Sequence, residues 1–163
     1  MTAPRPDGDR ARPTRWLDED QQHAWRSYFD NSRRLTDMLH RSLQFNSDMA
    51  LAEYRILVLL SESEDGSLRM SSLADGVISS RSRLTHQIRR MESAGLVERR
   101  GVAGDGRGVR AILTDKGREK LVAAAPGHVS DVREYLIDLL DPEDVRALGR
   151  IFDKVGGALD TIE

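Results

Sequence analysis

Cysteine is absent from this chain of 163 residues, which excludes disulfides, thiolate nucleophiles, cysteine-ligated zinc and thiol-based oxidant sensors. No apolar run approaches the roughly 20 residues that are needed to span a bilayer. The N-terminus is polar and does not resemble a secretion signal. These absences predict a cytoplasmic protein that has no membrane partner.

Aromatic residues are also scarce, at 5% of the sequence, and the hydrophobic fraction is only 39%. Charged residues, by contrast, make up 32% of the chain. A chain of this size can bury one core, but so many charges on long helices leave little apolar material for it. We therefore expect a homodimer, in which a second copy of the chain completes part of the core.

Signals of catalysis are missing as well. The sequence has no Gly-x-Ser-x-Gly elbow, and its four histidines include no pair one helical turn apart that would suit a metal. The spacing of Gly101 and Gly106 matches a phosphate-binding P-loop, but Arg107 and Gly108 follow where that loop needs Lys and then Ser or Thr. The sequence therefore predicts no catalytic residue, no metal site and no cofactor, and an enzyme remains only a residual alternative.

What the chain does have is a basic window from Arg81 to Arg110. It holds eight Arg against three acidic residues, a net charge of +5, whereas the whole chain carries -2. A basic segment on an acidic protein needs an acidic partner, and the phosphate backbone of nucleic acid is the commonest one.

Apolar residues at three- and four-residue spacing predict two helices, a long one from Asp18 onward and a second over Leu51 to Leu60. Residues 67 to 70 form either an edge strand or a turn. Ser71 or Ser72 is then expected to cap a short helix, and Ser79 or Ser80 to cap the next helix, which ends at Gly95.

Two short β-prone runs, Leu96 to Arg100 and Val109 to Leu113, are separated by glycines and predict a hairpin with a long tip. Two helices with seven-residue repeats follow. We expect a kink or a break at Pro126 in the first of them, and an N-cap at Asp141 for the second.

The helix that follows Ser80 has two distinct faces. Leu84, Ile88 and Met91 form an apolar stripe that can dock onto a core. The major groove of B-DNA accepts a helix and is read chiefly by the helix's N-terminal residues. The polar face could instead be merely solvated, but the preceding short helix and the following hairpin favour DNA. The predicted contacts on this helix are Ser80, Arg81, Ser82, Arg83, His86, Gln87 and Arg90.

Three further motifs resemble the MarR family of bacterial transcription regulators: Gly95-Leu96-Val97, the pair Asp105 and Arg107, and Leu113-Thr114-Asp115-Lys116-Gly117. The resemblance extends from roughly Trp25 to the C-terminus and is most specific over residues 91 to 117. It implies a mainly α fold with a small β-hairpin wing (α+β). That fold is a winged helix-turn-helix with N- and C-terminal dimerisation helices, and its partner is double-stranded DNA.

Arg107 is placed near the tip of the wing between two glycines, which suits insertion into the minor groove. In the proteins that this chain resembles, the residue matching Asp105 helps to fix the wing. Arg110 completes the predicted set of DNA contacts. The alternative is a mobile, solvated loop.

On this interpretation residues 1–15 are a disordered tail. Residues 16–50 and 115–163 form the helical dimerisation region, and residues 51–114 form the DNA-binding lobe.

Polar and aromatic residues gather at the start of the first helix, where they either pack in the dimer seam or line a ligand pocket. The family resemblance implies small aromatic acids as ligands. The predicted ligand-binding residues are Trp16, His23, Trp25, Arg26 and Tyr28.

The function we expect is repression by a homodimer that binds a palindromic operator and is released by a small molecule. The alternative is a helical protein-protein interaction module without sequence-specific DNA binding, in which the basic window is incidental.

Overall fold

The computed structural model describes residues 13–77, 80–102 and 105–161, with the side chains of residues 102 and 105–107 outside that description. The predicted disordered tail lies outside the described residues as far as position 12. The chain divides into two units, Met1–Arg34 and Leu35–Glu163.

The described residues are mostly helical, with one small antiparallel sheet. In chain order they form α1 (Glu19–Ser47), α2 (Leu51–Glu62), β1 (Ser67–Arg69), α3 (Met70–Gly76), α4 (Arg81–Ser93), β2 (Val97–Val102), β3 (Asp105–Leu113), α5 (Asp115–Tyr135), a 3₁₀ turn (Ile137–Leu139) and α6 (Pro142–Leu159). The predicted fold class, a mainly α winged helix-turn-helix with a β-hairpin wing, is confirmed.

In the first unit, α1 begins with a reciprocal cap. The backbone N–H of Gln21 donates to Asp18 Oδ1 at 2.9 Å, and the N–H of Asp18 donates to Gln21 Oε1 at 3.2 Å. One turn further on, the ring of Trp25 packs against those of Tyr28 and Phe29, with centroids 6.1 and 5.4 Å apart. All three rings remain exposed.

In the second unit, the sheet has the strand order β1-β3-β2. Of the two alternatives for residues 67–70, the edge strand is therefore the observed one. Arg110 on β3 lies directly opposite Arg69 on β1 and Arg100 on β2. A register shift between Gly101 and Val102 interrupts the regular pairing of β2 with β3.

The core of the second unit lies between α2, α3, α4 and the sheet, and buried residues of α1 (Leu43) and α5 (Leu121 and Ala124) also belong to it. The predicted stripe of α4 is confirmed, because Leu84, Ile88 and Met91 are all buried. They pack with fully buried residues from the neighbouring elements, among them Ile56, Leu57, Leu60, Leu73, Val97 and Ala111. This packing fixes which face of α4 is left for solvent.

The end of α4 is joined tightly to the start of α5. Gly95 ends α4 with φ +74°, a conformation that favours glycine. Thr114 Oγ1 donates to the carbonyl of Gly95 and Lys116 Nζ to that of Ala94, both at 2.7 Å. A Cβ on Gly117 would lie only 2.1 Å from the carbonyl oxygen of Leu96, so no other residue fits there.

Some local expectations are confirmed and others are wrong. Ser80 caps α4, and Asp141 caps α6 by accepting from the N–H groups of residues 143 and 144. The expected cap of α3 at Ser71 or Ser72 is wrong, because β1 runs directly into α3 and Arg69 takes the N-cap position. Of the kink or break expected at Pro126, the break is wrong, since α5 continues through this residue.

Candidate nucleic-acid interface

The first turn of α4 presents a cluster of exposed polar side chains. The N–H of Arg83 donates to Ser80 Oγ at 3.3 Å, so this hydroxyl caps the helix. Arg81, Ser82 and Arg83 follow, and all three are exposed. Within the described residues, the guanidinium groups of Arg81 and Arg83 form no salt bridge. Two uncompensated positive charges therefore lie together at one end of the helix.

Further along α4 the predicted residues differ in their surroundings. His86 is exposed and Gln87 is half-buried. Arg90 donates to Glu53 Oε1 at 3.2 Å, while the other oxygen of Glu53 accepts the N–H of Ala50 at 3.0 Å. Arg90 thus ties α4 to the start of α2, although its side chain stays 74% exposed.

The two arginines of β2 are both paired with acids. Arg99 Nε donates to Glu92 Oε2 at 2.8 Å, and this bond is the main reason that the pKa of Glu92 lies below its usual value. Arg100 pairs with Glu98 at 2.8 Å on the same strand. Because Glu92 belongs to α4, the Arg99 pair fixes the base of the wing to that helix.

Arg110, predicted to contact DNA, is held within its own subunit. Its Nε donates to Ser67 Oγ at 2.8 Å, and its Nη2 donates to the two carboxylate oxygens of Asp65 at 3.2 and 3.0 Å and to the carbonyl of Ser67 at 3.0 Å. Hydrogen bonds from the hydroxyl and the backbone N–H of Ser67, and then the charge of Arg110, lower the pKa of Asp65. A contact between Arg110 and DNA stays a prediction.

The remaining wing residues, Asp105 and Arg107, lie at the start of β3. Their side chains lie outside the described residues, so their roles also stay predictions.

A groove of about 430 Å³ lies between α4 and the outer part of β3. Arg69, Arg81 and Arg99 line it together with Ser71 and Thr85. Of these five residues, only Arg81 was among the predicted DNA contacts. The sequence signal for Arg69 was its position just before a helix-turn-helix. The pairing of β1 with β3, which brings Arg69 close to the wing, depends on tertiary structure and could not be predicted.

A second cavity, of about 700 Å³, lies among α1, α2 and α5 within the second unit. Its lining includes Asp37, His40, Tyr54, Arg55 and His128. The rings of Tyr54 and His128 are 4.4 Å apart, and within the described residues Nδ1 of His128 has no hydrogen-bond partner. Burial lowers the pKa of His128, and the charge of Asp131 raises it in part.

None of the predicted ligand-binding residues lines this cavity. They belong to the first unit, where Trp16 is 84% exposed and Arg26 donates to Gln22 Oε1 at 3.3 Å. A ligand role for them stays a prediction.

Two other classes of site find no support in the described part of the chain. Its helices include none with the length and apolar character that a bilayer crossing requires. No group of three or more His, Asp or Glu side chains there is arranged to hold a metal ion.

Comparisons with known proteins agree with this geometry. A model of the MarR family matches residues 49–109. The HTH-type transcriptional repressor YetL of Bacillus subtilis (strain 168) is 24% identical over 142 residues, which are 85% of this chain and 84% of YetL.

Among solved structures, AbsC, a MarR family transcriptional regulator from Streptomyces coelicolor, is 44% identical, with a TM-score of 0.85 over 91% of this chain and 99% of that one. Sco3205, a MarR family transcriptional regulator from the same organism, was crystallised in complex with DNA. It is 43% identical, with a TM-score of 0.86 over 90% of this chain and 92% of that one.

Proposed function

This chain belongs to the MarR family of transcriptional regulators, and from that premise we propose that it is a cytoplasmic, homodimeric repressor of transcription. In this proposal α4 enters the major groove and the wing follows the adjacent minor groove of a palindromic operator. The observation that carries it is the contrast between Arg81 and Arg83, which form no salt bridge within the described residues, and four arginines later in the basic window, Arg90, Arg99, Arg100 and Arg110, which are paired with acids.

The contrast matters because an arginine that is exposed and unpaired is free to bind DNA. An arginine bound to a carboxylate has its charge partly neutralised and some of its five N–H donors already engaged, so it attracts phosphate or guanine less strongly. Arg81 and Arg83 lie in the first turn of α4, which is the part of a recognition helix that meets base edges. The DNA complex of Sco3205 and the repressor name of YetL support the proposed DNA-binding and repressor role.

Dimerisation is supported by α6. None of the described residues of this helix is buried, although Val145, Ile151, Phe152, Val155 and Leu159 recur at helical spacing. An apolar face of this length needs a cover, and a second copy of the chain supplies one with two-fold symmetry. A symmetric dimer places its half-sites about 10 bp apart or a multiple of that distance.

The test is binding to promoter DNA selected from the chromosome of the source organism and titrated with salt. We expect the selected sites to be inverted repeats and log affinity to fall steeply with log salt, because each neutralised phosphate releases counterions. A helical protein-protein interaction module would show no such slope. Shallow salt dependence together with no enrichment of any sequence would refute the proposal.

We propose further that an anionic aromatic ligand releases the DNA. A ligand that prefers the DNA-incompetent arrangement by about 1.4 kcal/mol weakens DNA binding tenfold. Two places are candidates for its site: the predicted residues around Arg26, and the cavity lined by Tyr54 and His128, whose unpaired Nδ1 can accept or donate a hydrogen bond.

A panel of phenolic and benzoic acids in a DNA-release assay distinguishes the two sites. Release that is lost in Arg26→Ala and kept in His128→Gln would assign the first site, and the reverse result would assign the cavity. Mild peroxide is the control, because a chain without cysteine lacks a reversible thiol switch. Release by peroxide that a reductase reverses, with none by the acids, would refute the ligand mechanism.

A further inference from the structure

The turn before β1 holds a closed hydrogen-bond network that links it to the wing. Asp65 Oδ1 accepts the N–H of Ser67 at 3.1 Å and the hydroxyl of Ser67 at 3.0 Å. That hydroxyl oxygen in turn accepts from Arg110 Nε, and Arg110 Nη2 binds the carboxylate of Asp65. Each of the three side chains therefore bonds to the other two.

The same turn is also fixed to β3 through the backbone. Gly66 has φ +68°, and its carbonyl accepts the N–H of Leu113 at 2.9 Å. Ser67 is 5% exposed and is the buried polar residue of the described core. The turn thus contacts β3 at Arg110 and again at Leu113.

Charge explains why β3 needs this contact. Arg110 on the central strand lies directly opposite Arg69 on one side and Arg100 on the other. Like charges at directly opposite positions destabilise a sheet. Glu98 neutralises Arg100, and Asp65 is the acid that neutralises the central Arg110.

We propose that Asp65 and Arg110, with Ser67 between them, form a clamp that sets the position of the wing on operator DNA. Arg110 is then a positioning residue that acts through β3, and Asp65 is an acidic residue that strengthens binding to a polyanion. The inference rests on the proposed DNA-binding function. Arg107 lies three residues along β3 from Arg110, about 10 Å away at the rise of a strand, so a small rotation at the clamp displaces the wing tip.

The clamp predicts an effect on DNA affinity that is opposite to the effect expected from charge alone. Removing a negative charge from a DNA-binding lobe normally tightens DNA binding. Asp65→Asn should instead weaken operator binding by about three- to fivefold, the scale of a partly exposed ion pair. Glu64→Gln is the matched control, because it removes the same charge from the adjacent exposed residue and should leave binding unchanged or slightly tighter.

A second set of variants separates positioning from direct contact. Arg110→Gln should weaken binding as much as Asp65→Asn does, and the double variant should be no weaker than either one. The slope of log affinity against log salt should stay at the parent value. A direct phosphate contact would lower that slope by about one, and its loss would add to the effect of Asp65→Asn.

Hydrogen exchange in the DNA-free protein tests whether the clamp stabilises β3, independently of DNA binding. Amide protection in β3 should fall in Asp65→Asn and in Arg110→Gln, but not in Glu64→Gln. The clamp is overturned by Asp65→Asn binding as tightly as the parent, by a salt slope reduced in Arg110→Gln, or by unchanged protection in β3. A parent protein that binds no operator would refute the proposed function instead, and the exchange result would still decide the clamp.

Discussion

The DNA-binding lobe and the last helix of this protein use their apolar residues in opposite ways. In the lobe, Ile88 of α4 is 0% exposed and lies in a core closed by α2, α3 and the sheet. On α6, Ile151 is 55% exposed and no residue of the helix is buried within the described chain. The same type of side chain, isoleucine, is therefore buried in the folded core in one region and left exposed for association in the other.

This difference suggests that the core around Ile88, to which α1 and α5 also contribute, is completed within one chain, whereas α6 is completed only by another surface. Apolar area that is buried within one chain stabilises it at any protein concentration. Area that is buried between chains stabilises them according to mass action. The four predictions that follow test this division, from the largest expected effect to the smallest.

Ile88→Ala should destabilise the lobe by about 2 to 5 kcal/mol, because it removes buried methyl groups and leaves a cavity in a core that cannot collapse around it. Urea denaturation measures the loss. Ile151→Ala is the matched control and should lower the free energy of unfolding of the lobe far less. Equal losses for the two variants, at every protein concentration, would contradict the division between the regions.

Ile151→Asp should dissociate the dimer, since it places a charge in the centre of the proposed apolar interface. We expect the free energy of dimerisation to weaken by about 2 kcal/mol or more, the scale of a central interface residue, so that the dissociation constant rises about 30-fold or more. Sedimentation equilibrium reports this change, and circular dichroism checks that the lobe remains folded. A variant that sediments like the parent would place the dimer interface elsewhere.

Arg83→Ala should weaken operator binding by about 1 to 3 kcal/mol and change the ranking of operator variants, because contacts to base edges specify sequence. Arg107→Ala should cost a similar amount. Neither change should alter dimerisation, which separates them from Ile151→Asp. Arg133→Ala, which removes an arginine paired with Asp138 far along the chain, is the control for lost charge. Parent-like affinity in both test variants would show that the helix and wing are misassigned.

His128 lies on α5, where its ring packs against that of Tyr54 on α2. Burial places its folded-state pKa below the usual 6.5. The unfolded chain therefore binds the proton first, so stability is complete above about pH 6.5 and declines as pH falls below that value. Unfolding free energies measured at about pH 7.5 and about pH 5.5 should differ less in His128→Gln than in the parent. An unchanged difference would assign the pH dependence to other groups.

Much of this architecture could be predicted because its signals are local. The cap at Ser80, the stop at Gly95 and the stripe of Leu84, Ile88 and Met91 all lie within one stretch of chain, and each is confirmed. What sequence reasoning missed depends on partners far away in the chain. Asp65 is 45 residues from Arg110, and Glu53 is 37 residues from Arg90.

For that reason a count of arginines overstated the charge that is available to a ligand. The eight arginines of the basic window look equivalent in the sequence, but only folding determines which of them meet a carboxylate. The predicted cap of α3 was wrong for a different reason, because a serine cap needs a loop before the helix and β1 runs directly into α3.

The tight junction at Gly117 has a mechanical consequence. Hydrogen bonds from Thr114 and Lys116, together with the close approach of Gly117 to Leu96, hold the end of α4 against the start of α5, so we expect the two to move together. The 13 residues of α4 extend about 20 Å from that junction. A rotation of α5 by about 5° would therefore carry the first turn of α4 sideways by about 1.7 Å, enough to break a base-edge hydrogen bond. A small tilt of α5 can therefore produce a displacement of the first turn of α4 that is large enough to matter for DNA binding.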